Sequence, residues 1–131
     1  MHVLLDTFYL YRFMEAGGRF SEAERRFFEA HAAHLYLSAV SIWEMRLKFH
    51  ARHPSGARKS RFDPEDVITA FGRQDVTFLP MAVTHAATRL AAPIPHRDPF
   101  DELLLVQAQE EGLKLLTSDR RLVDHPLTVT P

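Results

Sequence analysis

Residues 96–119 read HRDPFDELLLVQAQEEGLKLLTSD, and the character of the chain changes in the middle of them. Asp98 stands where a helix N-cap belongs, with Pro99 at the first helical position, which the proline ring suits because its missing N–H is not needed there. An apolar stripe follows, and Gly112 sits where a helix hands over to a left-handed residue. Leu113 to Thr117 is then too short and too apolar for a second helix and reads as a buried strand, closed by Ser118-Asp119. A helix delivered straight into a buried strand is the repeating unit of an α/β domain. The same stretch raises a chemical question. Asp98 and Asp101 occupy the N-cap and N3 positions, where carboxylates serve as caps and favour the helix dipole. Two acids at that spacing are also suited to hold something that reacts, and the local sequence allows both.

The alternation extends along the chain. Residues 2–6, HVLLD, read as a short buried strand ending at an acid. Thr7 to about Glu15 has helical spacing, with Gly17-Gly18 as its stop. Ser21 and Glu24 form a capping box for a second helix. His34–Leu37 reads as a strand. Ser38 opens a long helix, SAVSIWEMRLKFHARH, with Val40, Trp43, Leu47 and Phe49 marking its buried side. Residues 53–62, HPSGARKSRF, are loop-like. Asp63-Pro64 opens another helix, Val76–Leu79 is a strand, Thr84–Ala92 a short helix ended by Pro93, and Leu127–Thr130 a last edge strand. The pattern predicts one α/β domain over 1–131, a mainly parallel sheet between helices.

Composition narrows the function classes. At 46% hydrophobic residues the chain can bury a core, so disorder is excluded. The absence of cysteine excludes disulfide scaffolds and thiolate metal sites and fits a reducing, cytoplasmic setting. No apolar run approaches the ~20 residues of a membrane span. The net charge of −1 conceals an asymmetry: Met45–Phe62 has no acid and carries +6, leaving −7 on the remainder. The overall balance therefore says little about partners.

The acids fall at telling places. Asp6 ends the first strand, Asp119 follows the last long one, Asp98 and Asp101 open a helix, and Glu44 lies six residues into the helix after the second strand. Ligands of open α/β sheets bind at the C-terminal ends of strands, so acids from distant segments can meet there. Converging carboxylates without thiols suit a hard divalent cation, Mg2+ or Mn2+, and such a site supports phosphodiester hydrolysis. Each acid has a plainer reading as well: Asp6 and Asp98 as caps, Glu44 on a solvated helix face, Asp119 as a turn residue.

The joint pattern resembles PIN-domain proteins, and most closely the VapC-type toxins of toxin–antitoxin modules. LLDT (4–7), SAVSIWEMRLK (38–48), LPMAVTHAATRL (79–90), HRDPFDELLLVQA (96–108) and LLTSDRRL (115–122) match in order and spacing. The resemblance implies a PIN-like fold, a divalent-metal endoribonuclease acting on RNA, a cognate antitoxin and a homodimer. Carried over by position, Asp6, Glu44, Asp101 and Asp119 form the acidic tetrad that holds metal and water, with Asp98 as auxiliary ligand or cap. Three departures stand out. Glu102 replaces the usual arginine, which would put a negative charge where phosphate approaches. Phe8 stands where histidine is frequent, and 53–62 matches nothing.

RNA affinity begins with phosphate neutralisation, and the acid-free segment offers Arg46, Lys48, Arg52, Arg58, Lys59 and Arg61, with Lys48, in the matched 38–48 segment, the one expected near the site. A solvated helix end and loop, or an antitoxin contact, would account for the same charges. Thr117 and Ser118 beside Asp119 would orient a metal-bound water, or simply complete the strand end. Trp43 and His85 read as core residues, and His96 as a loop hydrogen-bonding group. A competing class is a catalytically weak PIN-like module that binds RNA or antitoxin. A phosphatase with a strand-end aspartate nucleophile ranks lower, because LLDT lacks a second aspartate two residues on.

Overall fold

The computed structural model describes residues 1–15 and 19–131; the expected Gly17-Gly18 stop lies outside them. In chain order the elements are β1 (Val3–Leu5), α1 (Thr7–Met14), α2 (Glu22–His31), β2 (Leu35–Ser38), α3 (Ala39–His50), α4 (Pro64–Gly72), β3 (Val76–Leu79), α5 (Val83–Ala87), α6 (Pro99–Glu111), β4 (Lys114–Leu116) and β5 (Thr128–Val129). The five strands form one sheet in the order β3-β2-β1-β4-β5, every pairing parallel. The expected α/β architecture is thus the observed one.

Alternation along the strands explains the layers. Val3 and Leu5 of β1, Leu35 and Leu37 of β2 and Leu116 of β4 face one side, where they pack with Tyr9, Leu10, Met45, Val67 and Phe71. Leu4 and Leu115 face the other, against Leu104, Leu105 and Ala108 of α6 and Leu122. A parallel sheet covered on both faces needs apolar residues at consecutive positions, which is why VLL and KLL carry no polar/apolar alternation.

The caps follow the sequence signals. Ser38 accepts the Val40 N–H at 2.9 Å, Asp63 accepts that of Glu65 at 2.9 Å, and Ser21 and Glu24 complete their capping box. Gly112 ends α6 at φ +68°, a backbone region that glycine enters without a Cβ penalty.

Two expectations need correction. The helix after β3 ends at Ala87, not Ala92. Beyond it, side chains from elsewhere satisfy the backbone: Gln109 accepts from Ala91 N–H at 2.8 Å and donates to Arg89 C=O at 3.0 Å, and Ala92 C=O lies 2.6 Å from His125 Nε2. Such partners hold the segment without helical hydrogen bonds. The buried face of α3 also differs. It consists of Val40, Ser41, Glu44 and Met45, while Trp43 and Leu47 are exposed at 49% and 43%. Trp43 is therefore a surface residue, stacked on the Arg46 guanidinium at 5.2 Å.

The chain runs β1 to β2 to β3 toward one edge, then returns across the sheet to β4 on the other side of β1. The crevice beyond the C-terminal ends of β1 and β4 is consequently the switch point of the topology, where open α/β sheets bind ligands.

Candidate active site

Side chains converge at that switch point. A cleft of about 440 Å³ is lined by Asp6, Glu44, Asp98, Asp101 and Asp119, with Thr7, Phe8, Tyr11, Lys48, Ser118 and Arg121. All five acids singled out in the sequence meet here. Asp6, Glu44 and Asp101 are buried, Asp98 and Asp119 partly so.

Each acid is held differently. Asp6 sits at the N-cap of α1 but accepts no capping hydrogen bond. Leu5 of β1 is in register with Leu116 of β4, so the next residues, Asp6 and Thr117, are neighbours, and Thr117 Oγ1 donates to Asp6 Oδ2 at 2.7 Å. Burial raises the Asp6 pKa, the Thr117 hydrogen bond opposes that shift, and the Glu44 charge adds to it. Thr117 also accepts the Asp119 N–H at 3.1 Å, so one hydroxyl positions two acids. Ser118 lines the cleft and is exposed.

Glu44 turns inward from α3, and Lys48, one turn on, donates to its Oε2 at 2.6 Å. Burial works against the Lys48 ammonium, but the hydrogen bond and charge of Glu44 outweigh it, and the lysine pKa is raised.

Asp98 is a cap: Oδ1 accepts the N–H groups of Phe100 at 2.9 Å and Asp101 at 3.3 Å. It also lines the cleft, so cap and cleft acid are compatible roles. Asp101, one turn into α6, carries the largest perturbation. Burial first, then the charges of Asp98, Asp6, Glu44 and Asp119, push its pKa up to about 7. Asp119 moves the other way, because hydrogen bonds from Arg121 hold its carboxyl below the ordinary range.

His96 completes the rim. The Asp98 N–H donates to its Nδ1 at 3.1 Å, the loop role expected of it. With Nδ1 accepting, the ring proton is assigned to Nε2. That atom, buried without a hydrogen bond, stands 3.3 Å from Asp101 Oδ2. One ligand atom each from His96, Asp101 and Asp119 lie within 4.8 Å of one another. The protonated Nε2 offers no lone pair, so the carboxylates are the better donors. A set of carboxylate oxygen donors gathered in one cleft, without thiols, fits a hard divalent cation.

The basic residues divide. Lys48 lines the cleft; Arg46, Arg52, Arg58, Lys59 and Arg61 do not. Arg52 and Arg58 fold the 53–62 loop back on itself: Arg52 donates to Gly56 C=O at 3.0 Å, and Arg58 to Phe49 C=O at 2.7 Å. Arg61 pairs with Glu15 at 3.2 Å. Glu102 also falls outside the cleft, exposed beside Met81, His85 and Thr88. Its charge is therefore not where the tetrad lies, since N3 and N4 of one helix differ by about 100° in direction. Tyr11 and Arg121 line the cleft without having been singled out, and Phe8, noted only as a departure from the family pattern, lines it too. The register of α1 could have marked Tyr11, which lies three residues, about one helical turn, after Phe8.

The sequence from residue 3 to residue 126 matches the family model of the PIN domain. The chain belongs to the PIN domain family. Among curated proteins none matches it in sequence. In fold this PIN domain is similar to a chain of the DNA-bound VapBC2 structure from Rickettsia felis, at TM-score 0.64 and 11% identity over 100% of this chain and 98% of that one. It is likewise similar to a chain of DNA-bound VapBC from Salmonella typhimurium, at TM-score 0.60 and 16% identity over 100% and 97%. Among the described residues of this PIN domain, no helix is long and apolar enough to cross a membrane.

Proposed function

We propose that this PIN domain, spanning 1–131, is a divalent-metal-dependent endoribonuclease and the toxin of a toxin–antitoxin pair, with Mg2+ or Mn2+ as cofactor. The observation that carries the reading is the meeting of Asp6, Glu44, Asp98, Asp101 and Asp119 in one cleft at the sheet's switch point. Family membership and the likeness to chains of VapBC structures support the toxin role. The same reading gives the protein an RNA substrate, a cognate antitoxin, a homodimeric state and a cytoplasmic location.

Asp6, Glu44, Asp101 and Asp119 are the metal-holding and catalytic set, with Asp98 capping α6 and assisting. A bound divalent ion supplies an activated water and offsets charge on the scissile phosphate. The protein's residues do the rest. Thr117 holds one oxygen of Asp6 and so presents the other. Asp101 would hold the cation in its deprotonated form. Lys48 steadies Glu44 and is one of the cleft's two cations, while Phe8 and Tyr11 line the cleft and offer rings on which a base can stack.

The test is Asp101→Asn. The variant should keep the fold, by circular dichroism and thermal melting, and lose RNA cleavage and toxicity by more than about a thousandfold, the scale expected when the centre of a charge-stabilising site is removed. Equal cleavage of a mixed RNA pool by variant and wild type refutes the proposal.

A further inference from the structure

The cleft contains five carboxylates and two cations, Lys48 and Arg121, and both cations are engaged by acids. They are engaged in different ways. Lys48 makes one bond to Glu44. Arg121 closes on Asp119 with three: its backbone N–H donates to Oδ1 at 2.9 Å, Nε to Oδ1 at 3.2 Å, and Nη2 to Oδ2 at 2.8 Å. Oδ1 is thus held by the backbone whatever the side chain does. Among the described residues, Oδ2 is held by the guanidinium alone. The Arg121 side chain is 57% exposed, so it can leave without unpacking the core.

We propose that Arg121 competes with the divalent cation for Asp119 Oδ2 and, once displaced, binds a phosphate of the RNA. The inference rests on the carboxylate cleft being the cation site. A divalent cation on that oxygen would repel the guanidinium 2.8 Å away and draw on the same electron density, so each weakens the other's hold. The released guanidinium keeps its charge and its planar fork of donors, a match for phosphate oxygens, and it remains tethered two residues from Asp119. Cation arrival then converts a residue that neutralises the empty acids into one that receives substrate. Asp119 stays in position throughout through its backbone-held Oδ1.

This role has a signature that a plain surface ion pair lacks. Removing Arg121 tightens cation binding and weakens RNA binding, two effects of opposite sign. The experiment titrates Mn2+ by calorimetry into the full-length, EDTA-stripped protein as wild type, Arg121→Ala, Arg121→Lys, Arg120→Ala and Asp101→Asn. A labelled, mixed-sequence single-stranded RNA is then titrated in Ca2+, with gels to verify that it stays intact. Arg121→Ala should bind Mn2+ about threefold more tightly, the scale of an exposed ion pair. It should bind RNA about tenfold more weakly, with a salt slope smaller by about one. Arg121→Lys should retain part of the RNA affinity. Arg120→Ala makes the same charge change next door, outside the cleft lining, and should leave Mn2+ affinity unchanged. Mn2+ binding that is unchanged or weaker in Arg121→Ala, while Asp101→Asn abolishes it, refutes the role of Arg121 alone. Equal gains in Mn2+ affinity from Arg120→Ala and Arg121→Ala refute it too, as a long-range charge effect. Mn2+ binding indifferent to Asp101→Asn refutes the carboxylate cleft as the cation site.

Discussion

Thr117 donates its hydroxyl hydrogen to Asp6 Oδ2 across 2.7 Å, although 111 positions separate them in the chain. The contact exists because β1 and β4 are adjacent and parallel in one register. It is the hydrogen bond that opposes the burial-driven rise in the Asp6 pKa. Thr117→Val keeps the shape and removes the hydroxyl. It should cost about 1–2 kcal/mol in denaturant unfolding, the range for orphaning a buried hydrogen-bonding group, and should lower Mn2+ affinity because Asp6 then retains its proton more readily. Thr117→Ser should restore both. Unaltered Mn2+ affinity in Thr117→Val would contradict the role.

Asp101 sets a pH dependence whose sign can be worked out. Its pKa is about 7 in the fold against an ordinary 3.8. Between those values the folded protein holds a proton that the unfolded chain has lost, so the contribution of this group to stability falls as pH rises from about 4 to about 7 and then levels. In EDTA, Asp101→Asn should therefore melt higher than wild type at pH 8, by on the order of 5 °C, with the gap narrowing at pH 5. A gap of the same size at both values would show that Asp101 does not titrate in this window.

The same proton couples to metal. A cation must displace it, so Mn2+ affinity should rise from pH 6 to pH 8 and binding should release protons. Calorimetry in buffers of different ionisation heat reads this directly. A heat of binding independent of the buffer would rule it out.

Gln107 is fully buried at the centre of α6. Its Oε1 accepts from Ser38 Oγ, and its Nε2 lies 3.3 Å from both Pro80 C=O and His85 Nδ1. Ser38 is also the cap of α3, which carries Glu44. Gln107→Ala leaves these partners buried and opens a cavity, so it should cost about 2–4 kcal/mol, visible as a lower urea midpoint. His85, at 2% exposure, is the buried histidine that the sequence suggested.

Trp43 is the sole tryptophan and is half exposed. Its fluorescence should be that of a hydrated indole and readily quenched by acrylamide. Trp43→Ala should shift stability by less than about 1 kcal/mol, against the ~3–5 expected of a core tryptophan. A loss in the core range would place the ring inside after all.

How far the sequence was readable depends on how local the cause is. The capping box at Ser21, the Asp63-Pro64 and Asp98-Pro99 helix starts and the Gly112 stop are decided within a few residues, and the structure has them where the sequence puts them. The face of α3 was misread because Trp43, Leu47 and Phe49 are apolar while Ser41 and Glu44 are polar. Periodicity assigns polarity outward, yet Thr7 satisfies Ser41 at 2.9 Å and Lys48 satisfies Glu44, so the polar pair turns in. The end of α5 was misread for a similar reason, since Gln109 and His125, distant in the chain, replace its helical hydrogen bonds.

The alternation of strands and helices, the positions of the acids at strand ends and helix starts, and hence the α/β class are legible in the chain because they follow from short-range backbone chemistry and the apolar pattern. Packing between distant segments makes β1 and β4 neighbours at a switch point, which brings Asp6 and Thr117 into contact and draws five carboxylates into one cleft. It also decided that Glu102 lies outside that cleft and Arg121 inside it. Strand order and the direction of each side chain depend on packing between segments far apart in the chain, and the energy of a buried carboxylate depends on the neighbours that this packing supplies.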